Sequence, residues 1–194
     1  VPTGNFGNIL AAYYAKCMGV PIKKLICASN ANNVLTDFIN TGKYDRNRKF
    51  FTTISPSMDI LISSNLERLL YHLTDGNDKT ISDWFGKLAK DGKYSVTPDV
   101  LEKIKADFYA GCCNDDETKA AIKEVFEEYS YLMDTHTAVG WNVAEKFQKQ
   151  SGNHNKTVVL STASPYKFAT SVLSSIGETP DENEFNVMKQ IEAK

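Results

Sequence analysis

The chain has 194 residues, of which 42% are apolar, and a formal net charge of −2 at pH 7. This length and composition suit a globular protein with one core, and the near-neutral charge argues against a general binder of nucleic acids or acidic membranes. No run of about 18 apolar residues occurs, so the sequence predicts no membrane span and no membrane partner.

A glycine-rich loop, V-P-T-G-N-F-G-N, occupies residues 1–8. Glycines let an anion approach the backbone without meeting a Cβ atom. The apolar run that follows predicts a helix over residues 8–19, closed by Gly19, whose first N–H groups point at the loop. Loop and helix together predict a phosphate site, although an ordinary strand-to-helix turn is the alternative. Such loops normally leave a buried strand, so we expect the chain to start inside a larger fold.

The next segments predict a parallel sheet. Residues 23–28 have strand length and end in an apolar run, L-I-C-A, and a loop, a helix and a strand in this order form the second half of a βαβ unit. Residues 34–39 predict a short helix, capped by Asn32 or Asn33 and ending near Gly42. Residues 43–63 predict an irregular loop, after which Ser64 caps a helix.

The second half of the chain predicts mainly helices. Residues 74–133 predict an entirely helical insertion, with Phe108 facing inward on a helix that begins at Pro98. Residues 134–140 open a helix that runs to about Gln150. The later expectations are a turn at residues 151–155, a second strand at 157–161, a helix at 166–176 and a final helix at 182–192. The expected fold class is α/β, a partial parallel sheet flanked by helices.

The cysteines offer no metal or disulfide framework. Cys17, Cys27, Cys112 and Cys113 contain no C-x-x-C pair, and the chain has only three histidines. We therefore expect free thiols in a reducing, cytoplasmic environment and no metal site.

Four stretches, taken together, resemble threonine synthase, a pyridoxal-phosphate (PLP) enzyme of the tryptophan-synthase-β fold family. Residues 3–8 (T-G-N-F-G-N) match the loop that holds the cofactor phosphate in that family. Residues 134–139 (D-T-H-T-A-V) and 160–168 (L-S-T-A-S-P-Y-K-F) are similar to two further motifs. Residues 57–60 (S-M-D-I), followed by 64–69 (S-N-L-E-R-L), fit its bacterial and fungal branch. Departures are Thr135, where proline is usual, and Ser164, where some members carry histidine.

The resemblance implies that residues 1–194 are the C-terminal part of the PLP-binding large domain of a fold-type II enzyme, with a helical insertion at about 74–133. It assigns the cofactor to a set of loop residues and one threonine: Thr3, Gly4, Asn5, Phe6, Gly7, Asn8 and Thr162. Thr162 would bond the pyridine nitrogen. His136 would contact substrate, although a role at a helix start is equally plausible. Further candidates for substrate binding are Ser57, Asp59, Ser64 and Asn65.

The implied reaction of the complete enzyme converts O-phospho-L-homoserine and water to L-threonine and phosphate. The family's Schiff-base lysine lies in an F-K-D segment that this chain lacks. We therefore expect that lysine in an N-terminal part upstream of Val1, assign no catalytic residue here, and expect the isolated chain to be inactive. Lys167 is interpreted as a surface lysine. The alternatives are another lyase of the same fold, such as a threonine dehydratase or a cysteine synthase, and a non-catalytic module that binds phosphate or PLP.

Overall fold

The fold was obtained as a computed structural model, which describes residues 1–152 and 155–194. In chain order its elements are α1 (Gly7–Cys17), β1 (Leu25–Ser29), α2 (Val34–Thr41), β2 (Lys43–Asp45), α3 (Leu66–Leu73), α4 (Asp78–Asp91), β3 (Lys93–Ser95), α5 (Pro98–Asp107), β4 (Phe108–Cys112), α6 (Asp115–Tyr129), α7 (Thr135–Ser151), α8 (Ala169–Ser175) and α9 (Glu184–Glu192). Short 3₁₀ turns cover Pro56–Met58 and Pro165–Phe168. Two residues of the turn predicted at 151–155, Asn153 and His154, lie outside the described residues.

The parallel sheet predicted from the sequence is confirmed. β1 pairs with β4 in parallel, from Leu25 opposite Phe108 to Ser29 opposite Cys112. On the other side of β1, Pro2 forms a parallel bridge with Ala28. The start of the chain therefore runs alongside β1, and the glycine-rich loop leaves the sheet at the carboxyl end of that strand.

The prediction that residues 74–133 are entirely helical is wrong. This segment contains β3, which pairs with β2 in antiparallel fashion, and β4, which completes the parallel pair. Phe108 was expected on the inner face of a helix because it follows Ile104 by four residues. The structure instead ends α5 at Asp107 and makes Phe108 the first residue of β4. Pairing with β1, a contact distant in sequence, overrides the helical spacing.

The predicted strand at residues 157–161 is also wrong, since these residues have no regular structure and no ladder partner within the described part of the chain. Val159 and Leu160 are half-buried and line an apolar groove of about 530 Å³ together with Val1 and Ile26. An apolar run becomes a strand only where a second backbone offers hydrogen bonds, and here none does.

Two predicted helix caps differ in detail. Asn33 precedes α2 without a capping hydrogen bond from its side chain, and Asn65, not Ser64, precedes α3, again without one. The side chains of Asn32 and Ser64 bond elsewhere, to Asp59 and to Asn5 respectively. Asn32 and Ser64, which were expected to cap helices, therefore connect loop segments to each other by hydrogen bonds.

Two large hydrophobic clusters and a smaller third one form the core. The first lies among α1 to α5 and the strands, and the second lies among α6 to α9. Between them, Val139 and Val143 of α7 pack with Ala28 and Met58. This packing brings the start of α7 next to the glycine-rich loop. The four cysteines are free thiols, and no helix in the described ranges is long and apolar enough to cross a membrane.

Candidate functional site

The glycine-rich loop is anchored by the sheet and by the core. The Thr3 N–H donates to the Ala28 carbonyl at 2.8 Å, and the Ala28 N–H donates to the Val1 carbonyl at 3.0 Å. Phe6 adopts the left-handed conformation with φ of 64°, and its buried ring packs at 5.7 Å from that of Phe108. Phe6 thus turns the backbone sharply while its side chain points into the core, away from solvent.

The loop presents free backbone donors. The first hydrogen bond of α1 runs from the Leu10 N–H to the Phe6 carbonyl at 3.1 Å. The N–H groups of residues 4–9 have no acceptor among the described residues, and these residues line a cavity of about 360 Å³. Free N–H groups at the positive end of a helix dipole favour an anion.

A side chain at position 4 would be crowded by the neighbouring backbone. A Cβ atom at this position would lie 3.0 Å from the Met58 Cα atom and 3.2 Å from the Ser57 carbonyl oxygen. Both neighbours are backbone atoms, so no side-chain rotation would make room. Ser57 and Met58 therefore form a floor against which the loop lies in direct contact.

The Asp59 carboxylate holds this floor in position. It accepts from the side-chain amides of Asn30 at 2.8 Å and Asn32 at 2.9 Å, and from the Thr53 hydroxyl at 2.7 Å and N–H at 2.9 Å. Asn30 and Asn32 are buried. Because its oxygens are occupied by the chain itself, Asp59 orients the floor. The amide-rich run directly after β1 was the sequence signal for this role, and sequence reasoning missed it.

Asn5 joins the loop to the segment before α3. Its side-chain oxygen accepts from the Ser64 N–H at 2.7 Å and from the Ser64 hydroxyl at 2.9 Å. The Asn65 side-chain amide donates to the Asn5 carbonyl at 2.9 Å. The amides of the loop motif thus support the loop's conformation as well as lining the cavity.

His136 is buried at the start of α7 and lines the same cavity. Its Nε2 accepts from the Ser57 N–H at 3.1 Å, and its Nδ1 lies 3.2 Å from an Asp134 oxygen. An Nε2 that accepts leaves the proton on Nδ1, where it can be donated to the carboxylate. His136 therefore connects α7 to the floor under Gly4.

Asp134 caps α7. It accepts from the N–H groups of His136 at 2.8 Å and Thr137 at 3.3 Å, and from the Thr137 hydroxyl. Burial raises the pKa of the Asp134 carboxyl, but the hydrogen bonds from His136 and Thr137 outweigh it and lower the pKa below its ordinary value.

Another side of the cavity is formed by Thr162, Ala163 and Lys167. Thr162 is exposed and lines the cavity from an irregular segment, not from the end of a strand as expected. Ser161 precedes Thr162 in sequence, and its hydroxyl lies 3.5 Å from the Thr137 hydroxyl. Lys167 is exposed, as expected from the sequence, and also lines this cavity. The structure thus brings all eight predicted site residues to one cavity and adds Lys167.

Comparisons with known proteins identify relatives of the whole chain. Residues 137–194 match the family described as "Threonine synthase, C-terminal". Human threonine synthase-like 1 is 45% identical over 177 residues, which cover 91% of this chain and 23% of that protein. Threonine synthase of Saccharomyces cerevisiae is 40% identical over 190 residues, which cover 91% and 37% respectively.

A solved structure shares the fold. The crystal structure of PLP-bound threonine synthase from Brucella melitensis superposes with a TM-score of 0.84 at 37% identity, over 97% of this chain and 40% of that one. The chain thus spans between about a quarter and two fifths of the length of these relatives.

Proposed function

This chain is homologous to the threonine synthases over nearly its whole length, and on that premise we propose that residues 1–194 form the C-terminal part of the large, cofactor-binding domain of such an enzyme. The family resemblance and the α/β fold expected from the motifs are both confirmed. The remaining assignments, namely the reaction, the cofactor and the roles of single residues, are proposals for the complete protein.

We propose that the complete protein is a PLP-dependent carbon–oxygen lyase that converts O-phospho-L-homoserine and water to L-threonine and phosphate. The main support is the loop at residues 4–8, which offers free N–H groups at the start of α1 and has no room for a side chain at Gly4. The free thiols suit the reducing, cytoplasmic location that we propose with it.

The residues of the cavity fit PLP. Its phosphate would take the N–H groups of the loop, which need no side-chain charge to bind a dianion. The pyridine nitrogen would pair with the Thr162 hydroxyl, which, being uncharged, does not force the ring to stay protonated. Once bound, PLP supplies the electron-withdrawing ring on which the chemistry depends. The described part of the chain supplies the binding surface and the orientation.

We propose that His136 serves the substrate side of the cavity. Both of its ring nitrogens have partners within the chain, the Ser57 N–H and the Asp134 carboxylate. Its first contribution is therefore to set the position of Ser57 at the cavity floor. A direct contact between His136 and substrate remains a prediction.

The reaction is tested on the complete protein, purified with PLP and supplied with O-phospho-L-homoserine. The expected result is equal release of phosphate and L-threonine, measured by a phosphate assay and amino-acid analysis. Conversion of L-threonine to 2-oxobutyrate, with no use of the phosphorylated substrate, would favour a threonine dehydratase-like lyase. Stoichiometric PLP binding without turnover of either compound would favour a non-catalytic binding module.

The isolated chain is expected to be inactive. No segment of it matches the F-K-D sequence that carries the family's Schiff-base lysine, and covalent catalysis needs an amine within bonding reach of the cofactor aldehyde. PLP is added to the purified chain, the mixture is reduced with borohydride, and the digest is analysed by mass spectrometry. Scattered, substoichiometric labelling is expected. A single stoichiometric pyridoxyl-lysine, at Lys167 or elsewhere, together with turnover, would show that the lysine has been misplaced.

A further inference from the structure

Lys167 is exposed and lines both the cavity of the candidate site and a neighbouring groove that also contains Glu184. Among the described residues that line this cavity, Lys167 is the only lysine or arginine, and no aspartate or glutamate is present. No hydrogen bond or ion pair joins its ammonium group to another residue in the described ranges, whereas the lysines at positions 16, 87 and 146 pair with carboxylates. The Lys167 charge is therefore left without a protein counter-ion beside a cavity that already favours anions.

A cation–π contact places this ammonium group beside Phe168. The Lys167 Nζ atom lies 5.3 Å from the centroid of the Phe168 ring, a distance at which a cation is attracted to the ring face. The Phe168 ring in turn lies 4.5 Å from the ring of the buried His136. Lys167 is thus connected through Phe168 to the same histidine that holds the Ser57 N–H.

The backbone of this segment is also constrained. Lys167 lies in the 3₁₀ turn Pro165–Phe168, where its N–H donates to the Ser164 carbonyl at 3.0 Å. The Ser164 hydroxyl accepts from the Tyr166 N–H at 3.4 Å. A short, capped turn that starts with proline limits where the lysine side chain can reach.

We propose that Lys167 binds a phosphate monoester in this cavity, as a charged partner separate from the N–H groups of the loop. A lysine acts as a point charge toward phosphate and is suited to a group that enters and leaves. This inference rests on the proposed function, in which two phosphate monoesters enter the cavity, the cofactor and the substrate. Lys167 discriminates phosphorylated ligands from their unphosphorylated counterparts.

The test uses the complete protein with the substitutions Lys167→Ala and Lys167→Arg, and Lys119→Ala as the matched control. Lys119 is an exposed lysine of α6 that does not line the cavity. Two ligands are titrated. Pyridoxine 5′-phosphate is titrated by calorimetry into the protein without PLP. O-phospho-L-homoserine is titrated into the PLP-loaded protein, which turns it over, so its apparent affinity is taken from KM in the phosphate-release assay. For Lys167→Ala we expect affinity for one of them to fall about tenfold or more, the loss typical of one hydrogen bond to a charged group. Lys167→Arg should stay within a fewfold of the parent, and Lys119→Ala should be unchanged.

The two titrations identify which phosphate Lys167 contacts. A loss confined to O-phospho-L-homoserine assigns Lys167 to the substrate, and a loss confined to pyridoxine 5′-phosphate assigns it to the cofactor. Unchanged affinity for both in Lys167→Ala would overturn the inference. Failure of the proposed function is distinguishable, because in that case the parent protein itself would bind pyridoxine 5′-phosphate no better than pyridoxine, or would leave O-phospho-L-homoserine unconverted.

Discussion

Gly4→Ala is expected to reduce the affinity of the chain for pyridoxine 5′-phosphate about 100-fold. The added Cβ atom would meet the backbone of Met58 at 3.0 Å and of Ser57 at 3.2 Å, and the Asp59 hydrogen bonds hold that backbone in place. The loop must then shift, and its N–H groups lose their alignment on the phosphate. Losing two hydrogen bonds to a charged group at about 1.5 kcal/mol each corresponds to about 100-fold in the dissociation constant.

The measurement is a titration followed by NMR, with unphosphorylated pyridoxine as the ligand control. Gly86→Ala is the matched variant, because a Cβ atom at Gly86 meets nothing within 4 Å. It should leave affinity unchanged and stabilise α4 by up to about 1 kcal/mol. If Gly4→Ala binds pyridoxine 5′-phosphate as tightly as the parent, the loop is not the anion site.

Asp134→Ala is expected to lower the free energy of unfolding by about 3 kcal/mol. The substitution removes the cap of α7, worth about 1 kcal/mol, and leaves the buried donors of Thr137 and His136 without an acceptor, at about 1 kcal/mol or more each. Urea unfolding followed by circular dichroism measures the loss. Asn114→Ala is the control, since Asn114 caps α6 at an exposed position and should cost about 1 kcal/mol.

The cost of Asp134→Ala should also depend on pH. The pKa of Asp134 in the folded chain lies below its ordinary value of 3.8, so the folded state favours the ionised form. Its contribution is fully present above the unfolded pKa and is lost as pH falls through the folded pKa. The difference in stability between parent and variant should therefore be constant above about pH 5 and shrink below about pH 4. Equal costs for Asp134→Ala and Asn114→Ala, or a difference independent of pH, would contradict the buried network.

Local signals in the sequence determined the loop and most helix ends. The glycine spacing before an apolar run predicted the loop and α1, and Gly42 and Gly92 end α2 and α4 with positive φ angles of 75° and 73°. Asn114 and Glu117 form the capping box of α6. Each of these features depends on residues within about four positions of one another, so the chemistry of a few neighbours is enough to specify it.

Tertiary structure decided which apolar runs became strands. Residues 108–112 carry helical spacing yet form β4, because β1 offers them a parallel partner. Residues 157–161 have the apolar pattern of a strand yet are irregular, because they form no ladder with another backbone in the described ranges. A strand exists only through hydrogen bonds to another backbone, which can lie anywhere in the chain, so short-range patterns do not determine it.

Some features of the candidate site also follow from neighbouring residues, and others follow only from contacts between distant parts of the chain. The sequence by itself determined the glycine-rich loop that we propose binds an anion, because its glycines and the helix start are adjacent in the chain. Only the tertiary structure decided that Ser57 and Met58 lie under Gly4, that His136 bonds the Ser57 N–H, and that Lys167 lines the same cavity. These groups are separated by tens of residues, and packing of α7 against β1 brings them together. Contacts of that kind depend on the shape of the whole core, which no local pattern encodes.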